Sequence, residues 1–317
     1  MRELFDQADH FLCHYSFVID SYAKYCDIGC VYCYAKDFPI PERFQLDLGE
    51  VELLFEKAFL ENASDSLSIL LRKRVPIRLG FETDPFQRAE KSNKVTYKLL
   101  TIFNKFNYPC IIFTKSTLIL DELYTKLLVP ELVNVQVSLS SFDRELALRV
   151  EPKAPSPKER LNIVTELGKR GLTTVARMNL LNSELRKGHI YENDEVYFKS
   201  IGKVLNENNI ERAIFNYVKS KDEALDLKDW NDIKKQMSLN KVSVSYCYLG
   251  GKSFQYFSFN TPRVCENCCQ CDLSVNDTRN STGIKHIIRD GITAKALLDI
   301  FNHVTLKLIM RFISWAA

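Results

Sequence analysis

Three cysteines, Cys26, Cys30 and Cys33, stand within eight residues of "YAKYCDIGCVYCYAKD" at the spacing C-x3-C-x2-C. A second group, Cys265, Cys268, Cys269 and Cys271, fills most of "VCENCCQCD", and Cys247 lies upstream of it. Three chemistries use crowded thiols: disulfides, a zinc site and an iron–sulfur cluster. Disulfides would leave one of the first three thiols unpaired. Zinc usually joins two C-x2-4-C halves into a tetrahedron, and a nearby fourth ligand is missing here. Iron–sulfur clusters accept thiolates on separate irons at such spacings. Three thiolates on a four-iron cube leave one iron open, where a substrate or cofactor can be held. For the second group an auxiliary iron–sulfur cluster is the first expectation, with Cys247 as a fourth ligand, and zinc the second.

Other chemical motifs fail. "GGKS" at 250–253 ends like a phosphate-binding loop, but Tyr246 stands where the earlier glycine is needed. No G-x-G-x-x-G or G-x-S-x-G occurs. The five histidines, His10, His14, His189, His286 and His303, form no H-x-x-x-H pair, and a lone histidine is more often structural or solvated. Cys13 and Cys110 read as small buried apolar residues.

The 317 residues are 46% hydrophobic and 26% charged, which permits one large core or a core with an appendage. A net charge of +3 allows an anionic partner without requiring one, and Arg72-Lys73-Arg74 reads as a solvated face. The start, "MRELFDQADHFLCHYSF", lacks a secretory pattern, so reduced thiols in the cytoplasm are expected. In the apolar tail, Asp299, His303, Lys307 and Arg311 recur every four residues. That spacing makes an amphipathic helix rather than a transmembrane segment.

The elements that must position the first cysteines alternate. Strands are expected at 14–20, 76–82, 110–115, 134–140, 172–181 and 212–218. Helices are expected at 49–63, 93–106, 121–129 and 196–208. A further helix after Ser156 carries a Ser156/Glu159 capping box and Pro157 at its first position, and Gly171 ends it. Six strand–helix alternations imply a parallel sheet covered by helices, doubly wound or curled into a complete or partial barrel. The alternation weakens near residue 220, beyond which a charged helix "LKDWNDIKKQM" and a strand "VSVSYCYLG" lead into the second cysteine group. The expected division is a core at 1–220 and a cysteine-rich extension at 221–317.

With Tyr32 just before the last cysteine and a strand before the loop, the pattern resembles the radical S-adenosylmethionine (SAM) superfamily. "FETDPFQRAE", "FTKS", "SLSS" and "EPKAPSPKERLNIVTELGKRGL" follow in the order found in its spore photoproduct lyase-like (DNA repair photolyase-like) branch. The resemblance covers about residues 14–185. It implies a partial (β/α)6 barrel of the TIM type and a [4Fe–4S] cluster held by Cys26, Cys30 and Cys33. It also implies that SAM chelates the open iron and is cleaved reductively to a 5′-deoxyadenosyl radical that abstracts hydrogen. By position, Tyr32 would lie against the adenine. Gly80, Glu82, Thr83 and Asp84 would meet the SAM amino group, and Lys115 its carboxylate. Ser138 and Ser140, alternating along the fourth strand, would bond the ribose or methionyl end, and Arg177 on the fifth strand is a further candidate. A reductant such as flavodoxin or ferredoxin is implied as a partner. The substrate implied by the branch is a nucleic acid or nucleobase, and a peptide is the alternative. An electron-transfer or zinc-binding module is the non-enzyme alternative. One departure stands out: spore photoproduct lyase itself carries a hydrogen-donating cysteine in the segment matching "GFETD", where this chain has Glu82.

Overall fold

The computed structural model describes residues 6–7, 17–22, 25–33, 45–74, 76–181, 183–189, 194–218 and 227–246. Cys13, Cys247, the cysteines at 265–271 and the apolar tail lie outside the described residues.

The sheet has eight strands in sequence order. They are β1 (Asp6–Gln7), β2 (Phe17–Ile19), β3 (Ile77–Leu79), β4 (Cys110–Thr114), β5 (Val133–Leu139), β6 (Thr173–Leu181), β7 (Arg212–Val218) and β8 (Ser243–Tyr246). The pair β1–β2 is antiparallel and every later pair is parallel. A parallel, sequentially ordered sheet forces each connection over one face, and helices occupy those crossovers. They are α1 (Leu48–Phe59), α2 (Ser66–Arg72), α3 (Glu90–Asn93), α4 (Val95–Lys105), α5 (Glu122–Thr125), α6 (Arg144–Val150), α7 (Pro157–Lys169), α8 (Ser183–Arg186), α9 (Asp194–Glu207) and α10 (Leu227–Leu239). The result is an open partial barrel of seven parallel strands, and α10 and β8 carry it past residue 220. Among the described residues no helix is long and apolar enough to cross a membrane.

Period-2 alternation gives the two faces of this sheet opposite chemistry. The ladder registers align Arg78 with Ile111 and Asn134, Phe113 with Gln136, Ser138 with Arg177, and Asn179 with Asn216. This is the inner face, rich in amides and guanidinium groups. Two of its arginines stand over the Phe113 ring, Arg177 at 4.9 Å and Arg78 at 5.6 Å from the centroid. The alternate residues, among them Leu79, Ile112, Val135, Val137, Met178 and Phe215, join Phe55, Leu99, Phe103, Val164, Leu167 and Ile201 of the helices in one core. Each such side chain contributes roughly 1.5–3 kcal/mol on burial. The apolar face therefore holds the barrel together, and the inner face is left for polar work.

Local sequence explains several boundaries. The Ser156/Glu159 capping box is present in both directions at the start of α7. The helix expected at 93–106 is α4, and a left-handed φ of 56° at Lys94 separates it from the short α3 before it. The Glu90 side chain caps that break, accepting from Thr96 N (2.9 Å) and Tyr97 N (3.0 Å). Cys110 is buried at the start of β4, and burial pushes its thiol up to about 12.

Candidate active site

The cysteine loop follows β2, at the C-terminal ends of the parallel strands where barrels of this kind carry their chemistry. Cys26, Cys30 and Cys33 are free thiols of intermediate exposure. The loop turns at Gly29, whose φ of +69° suits glycine, and closes with Cys33 N donating to Cys30 O at 3.2 Å. Its flanks are clamped. Asp27 N donates to Gln87 Oε1 (2.9 Å), Gln87 Nε2 to Tyr25 O (2.7 Å), and Val31 N to Val150 O (2.9 Å).

These thiols suit a cluster in kind and surroundings. Burial pushes Cys26 up to about 12, while the N–H groups of Ile28 and Asp84 point to its sulfur and favour the thiolate. Burial also raises Cys30, and the nearby Lys115 ammonium opposes that rise. Metal binding must therefore displace protons here. Three thiols on one short loop are a donor set that an iron–sulfur cluster can take, one thiolate to each of three irons.

The segment after β3 packs beside this loop. Gly80 has φ +89°, and a Cβ there would lie 2.5 Å from Pro85 Cδ and 2.6 Å from Phe113 O, so only glycine fits. Asp20, just past β2, accepts from Glu82 N (3.1 Å), Thr83 N (3.0 Å) and Thr83 Oγ1 (3.0 Å). Burial nevertheless pushes its carboxyl up to about 7. Asp84 is buried and accepts from Phe86 N (2.9 Å), Thr114 Oγ1 (2.8 Å) and Lys115 N (2.7 Å), which ties the end of β3 to the end of β4. Burial raises its carboxyl as well.

Across the mouth, Glu151 gathers the remaining residues. It is 1% exposed. Its Oε1 accepts from the Tyr32 hydroxyl and faces Lys115 Nζ at 3.9 Å. Its Oε2 accepts from Ser140 Oγ (2.7 Å) and Arg160 Nη1 (2.6 Å). Burial pushes this carboxyl up, but Arg160 and Lys115 hold it below the ordinary glutamate value. Burial lowers and the Cys30 and Glu151 charges raise the Lys115 ammonium, with a net rise that keeps it charged. Arg160, fully buried in α7, also donates Nη1 to Ser138 O at 2.9 Å.

The structure thus brings Tyr32, Lys115 and Ser140 onto one carboxylate and sets Gly80 to Asp84 beside Cys26. Ser138 and Arg177 are neighbours in register on the inner face, and Arg177 Nη1 donates to Gln136 Oε1 (3.0 Å). Sequence reading missed Asp20, Gln87, Glu151 and Arg160. Glu151 and Arg160 lie within "EPKAPSPKERL", Arg160 on the helix expected after Ser156, but nothing local marks either as buried against the other. Of the histidines, His189 alone lies among the described residues, with Nδ1 3.1 Å from Asp143 Oδ2.

No family model matches the chain. An uncharacterised protein of Mycobacterium tuberculosis is 31% identical over 156 residues, 46% of this chain and 44% of that protein, so the chain spans under half the length of this relative. Among solved structures, SuiB of Streptococcus suis bound to S-adenosylmethionine aligns at a TM-score of 0.51 and 13% identity. That alignment covers 74% of this chain and 50% of SuiB. A radical SAM methyltransferase of Sphaerobacter thermophilus aligns at 0.50 and 12%, over 73% and 66%. The chain therefore has the partial-barrel fold of radical SAM enzymes. Spore photoproduct lyase aligns at 0.48, too distant a likeness to select that branch.

Proposed function

We propose that this chain is a radical SAM enzyme acting on a nucleic acid or nucleobase. The observation that carries the first half is the union of three free cysteines on the loop after the first parallel strand with a charged lysine at the end of β4. The substrate class rests on the branch motifs quoted above. Cys26, Cys30 and Cys33 would hold a [4Fe–4S] cluster. When bound, that cluster would supply the single electron for reductive cleavage of SAM and so for hydrogen abstraction from the substrate.

The chain's own residues hold the cofactor. Lys115 keeps its proton beside Glu151 and would take the SAM carboxylate. The Glu82–Asp84 segment, braced by Asp20, would meet the amino group, and the Tyr32 ring the adenine. Ser138 offers its hydroxyl to the ribose or methionyl end. Ser140 donates to Glu151, so it can only accept from SAM. Val18, Ile111 and Phe113 on the inner face exclude water below the site. An auxiliary iron–sulfur cluster, or zinc, would occupy Cys247, Cys265, Cys268, Cys269 and Cys271 in the C-terminal extension. A flavodoxin or ferredoxin would deliver the electron in the cytoplasm.

A peptide substrate is the second reading. It is favoured by the C-terminal cysteines, because auxiliary clusters recur in radical SAM peptide modifiers, and by the likeness to SuiB bound to its precursor peptide (TM-score 0.51). The deciding experiment is anaerobic reconstitution with iron and sulfide, followed by dithionite and SAM, with 5′-deoxyadenosine read by chromatography. The parent chain should form it and Cys30→Ala should not. Cys268→Ala should keep cleavage but lose product formation. Intact cluster absorbance with no 5′-deoxyadenosine would favour the electron carrier. Oligonucleotide and peptide additions then separate the two substrate readings.

A further inference from the structure

Glu151 divides its two oxygens between different duties. Oε2 is anchored to the frame, by Ser140 at the end of β5 and by Arg160 in α7. Oε1 faces the parts that would touch a ligand, the Tyr32 hydroxyl of the cysteine loop and the Lys115 ammonium. At 3.9 Å the ammonium is held by charge rather than by a formed hydrogen bond, so its N–H groups stay available. An ordinary buried ion pair would be complete with Arg160 alone. Here two cations share one carboxylate, and Arg160 Nε and Nη2 are buried without hydrogen-bond partners. The buried Asp84 carboxyl also acts on Lys115 and accepts from its backbone N–H, so the open feature of this group is the ammonium's unfilled donors, which a bound carboxylate would take. The backbone repeats the link, since Val31 N donates to Val150 O beside Glu151.

We infer that Glu151 is a positioning residue that ties Tyr32 to Lys115, so that the cysteine loop and the carboxylate-binding lysine are set as one unit. This rests on the reading of the site given above. Tyr32→Phe keeps the ring and removes only the hydroxyl. It should raise the KM for SAM about tenfold, as expected for losing a hydrogen bond to a charged group, with a smaller change in kcat. In the metal-free chain it should speed iodoacetamide alkylation of Cys30 and Cys33 several-fold, about as much as freeing a clamped loop allows. The KM effect of Tyr32→Phe should shrink to less than about twofold in a Lys115→Met background, because Glu151 transmits it. Glu151→Gln should mimic Tyr32→Phe in alkylation if it folds, and the Lys115 cycle decides the matter if it does not. Parent-like alkylation and KM in Tyr32→Phe, or independent effects of the two substitutions, would overturn the inference. If the parent chain forms no 5′-deoxyadenosine, the functional reading fails and the alkylation rates still decide the link.

Discussion

Two buried glutamates with opposite company organise this molecule. Glu90 accepts from the Tyr22 and Tyr124 hydroxyls and from two backbone N–H groups at the start of α4, and no cation pairs with it among the described residues. Its acceptors are filled by neutral donors whose protons stay in place, since burial and the Glu90 charge push both phenols up. Glu151 also meets hydroxyls, but it adds two cations, and its 3.9 Å approach to Lys115 leaves that ammonium without a formed hydrogen bond to it. A self-contained inventory pins a fold, whereas one with open donors at the mouth of a barrel can take a ligand.

That contrast can be broken by experiment. The largest effect should come from Glu151→Gln, which takes the anion from the buried Arg160 and should cost about 3–5 kcal/mol in urea unfolding of the metal-free chain. A cost below about 1 kcal/mol would remove the charge argument. Acid titration tests the same residue. Because Arg160 and Lys115 hold the carboxyl below its ordinary 4.5, the folded chain releases that proton more readily than the unfolded one. Glu151 therefore contributes stability above pH 4.5 that is lost as the pH falls below it, and Glu151→Gln should flatten the loss. The smallest effect should come from Tyr124→Phe, about 1–2 kcal/mol of stability. SAM affinity measured by calorimetry should be unaltered. A weakened affinity in Tyr124→Phe would show that Glu90 also serves the site.

Much of this could be read from residue order. The parallel strands, though not the two-residue β1, were foreseen to within a few residues because the sheet's outer face needs Ile, Val and Leu at alternate positions, and the start of α7 because a capping box is local. The short helices α2 and α6 were not foreseen, since their few turns give too little periodicity to rise above the loops around them. The start of α4 at Val95 is set by Lys94 and by the Glu90 side chain, which accepts from Thr96 N and Tyr97 N. Asp20 went unnoticed because its partners, Glu82 and Thr83, are about 60 positions away in sequence.

Sequence alone determined the cysteine spacing, the order of strands and helices, and the positions offered to a cofactor, because each depends on neighbours a few residues apart. Only the tertiary structure decided which of those polar residues share a partner. Tyr32, Lys115, Ser140 and Arg160 come from four separate elements, and nothing local records that they converge on Glu151. That convergence follows from how parallel strands stack their C-terminal ends, which is a property of the whole sheet.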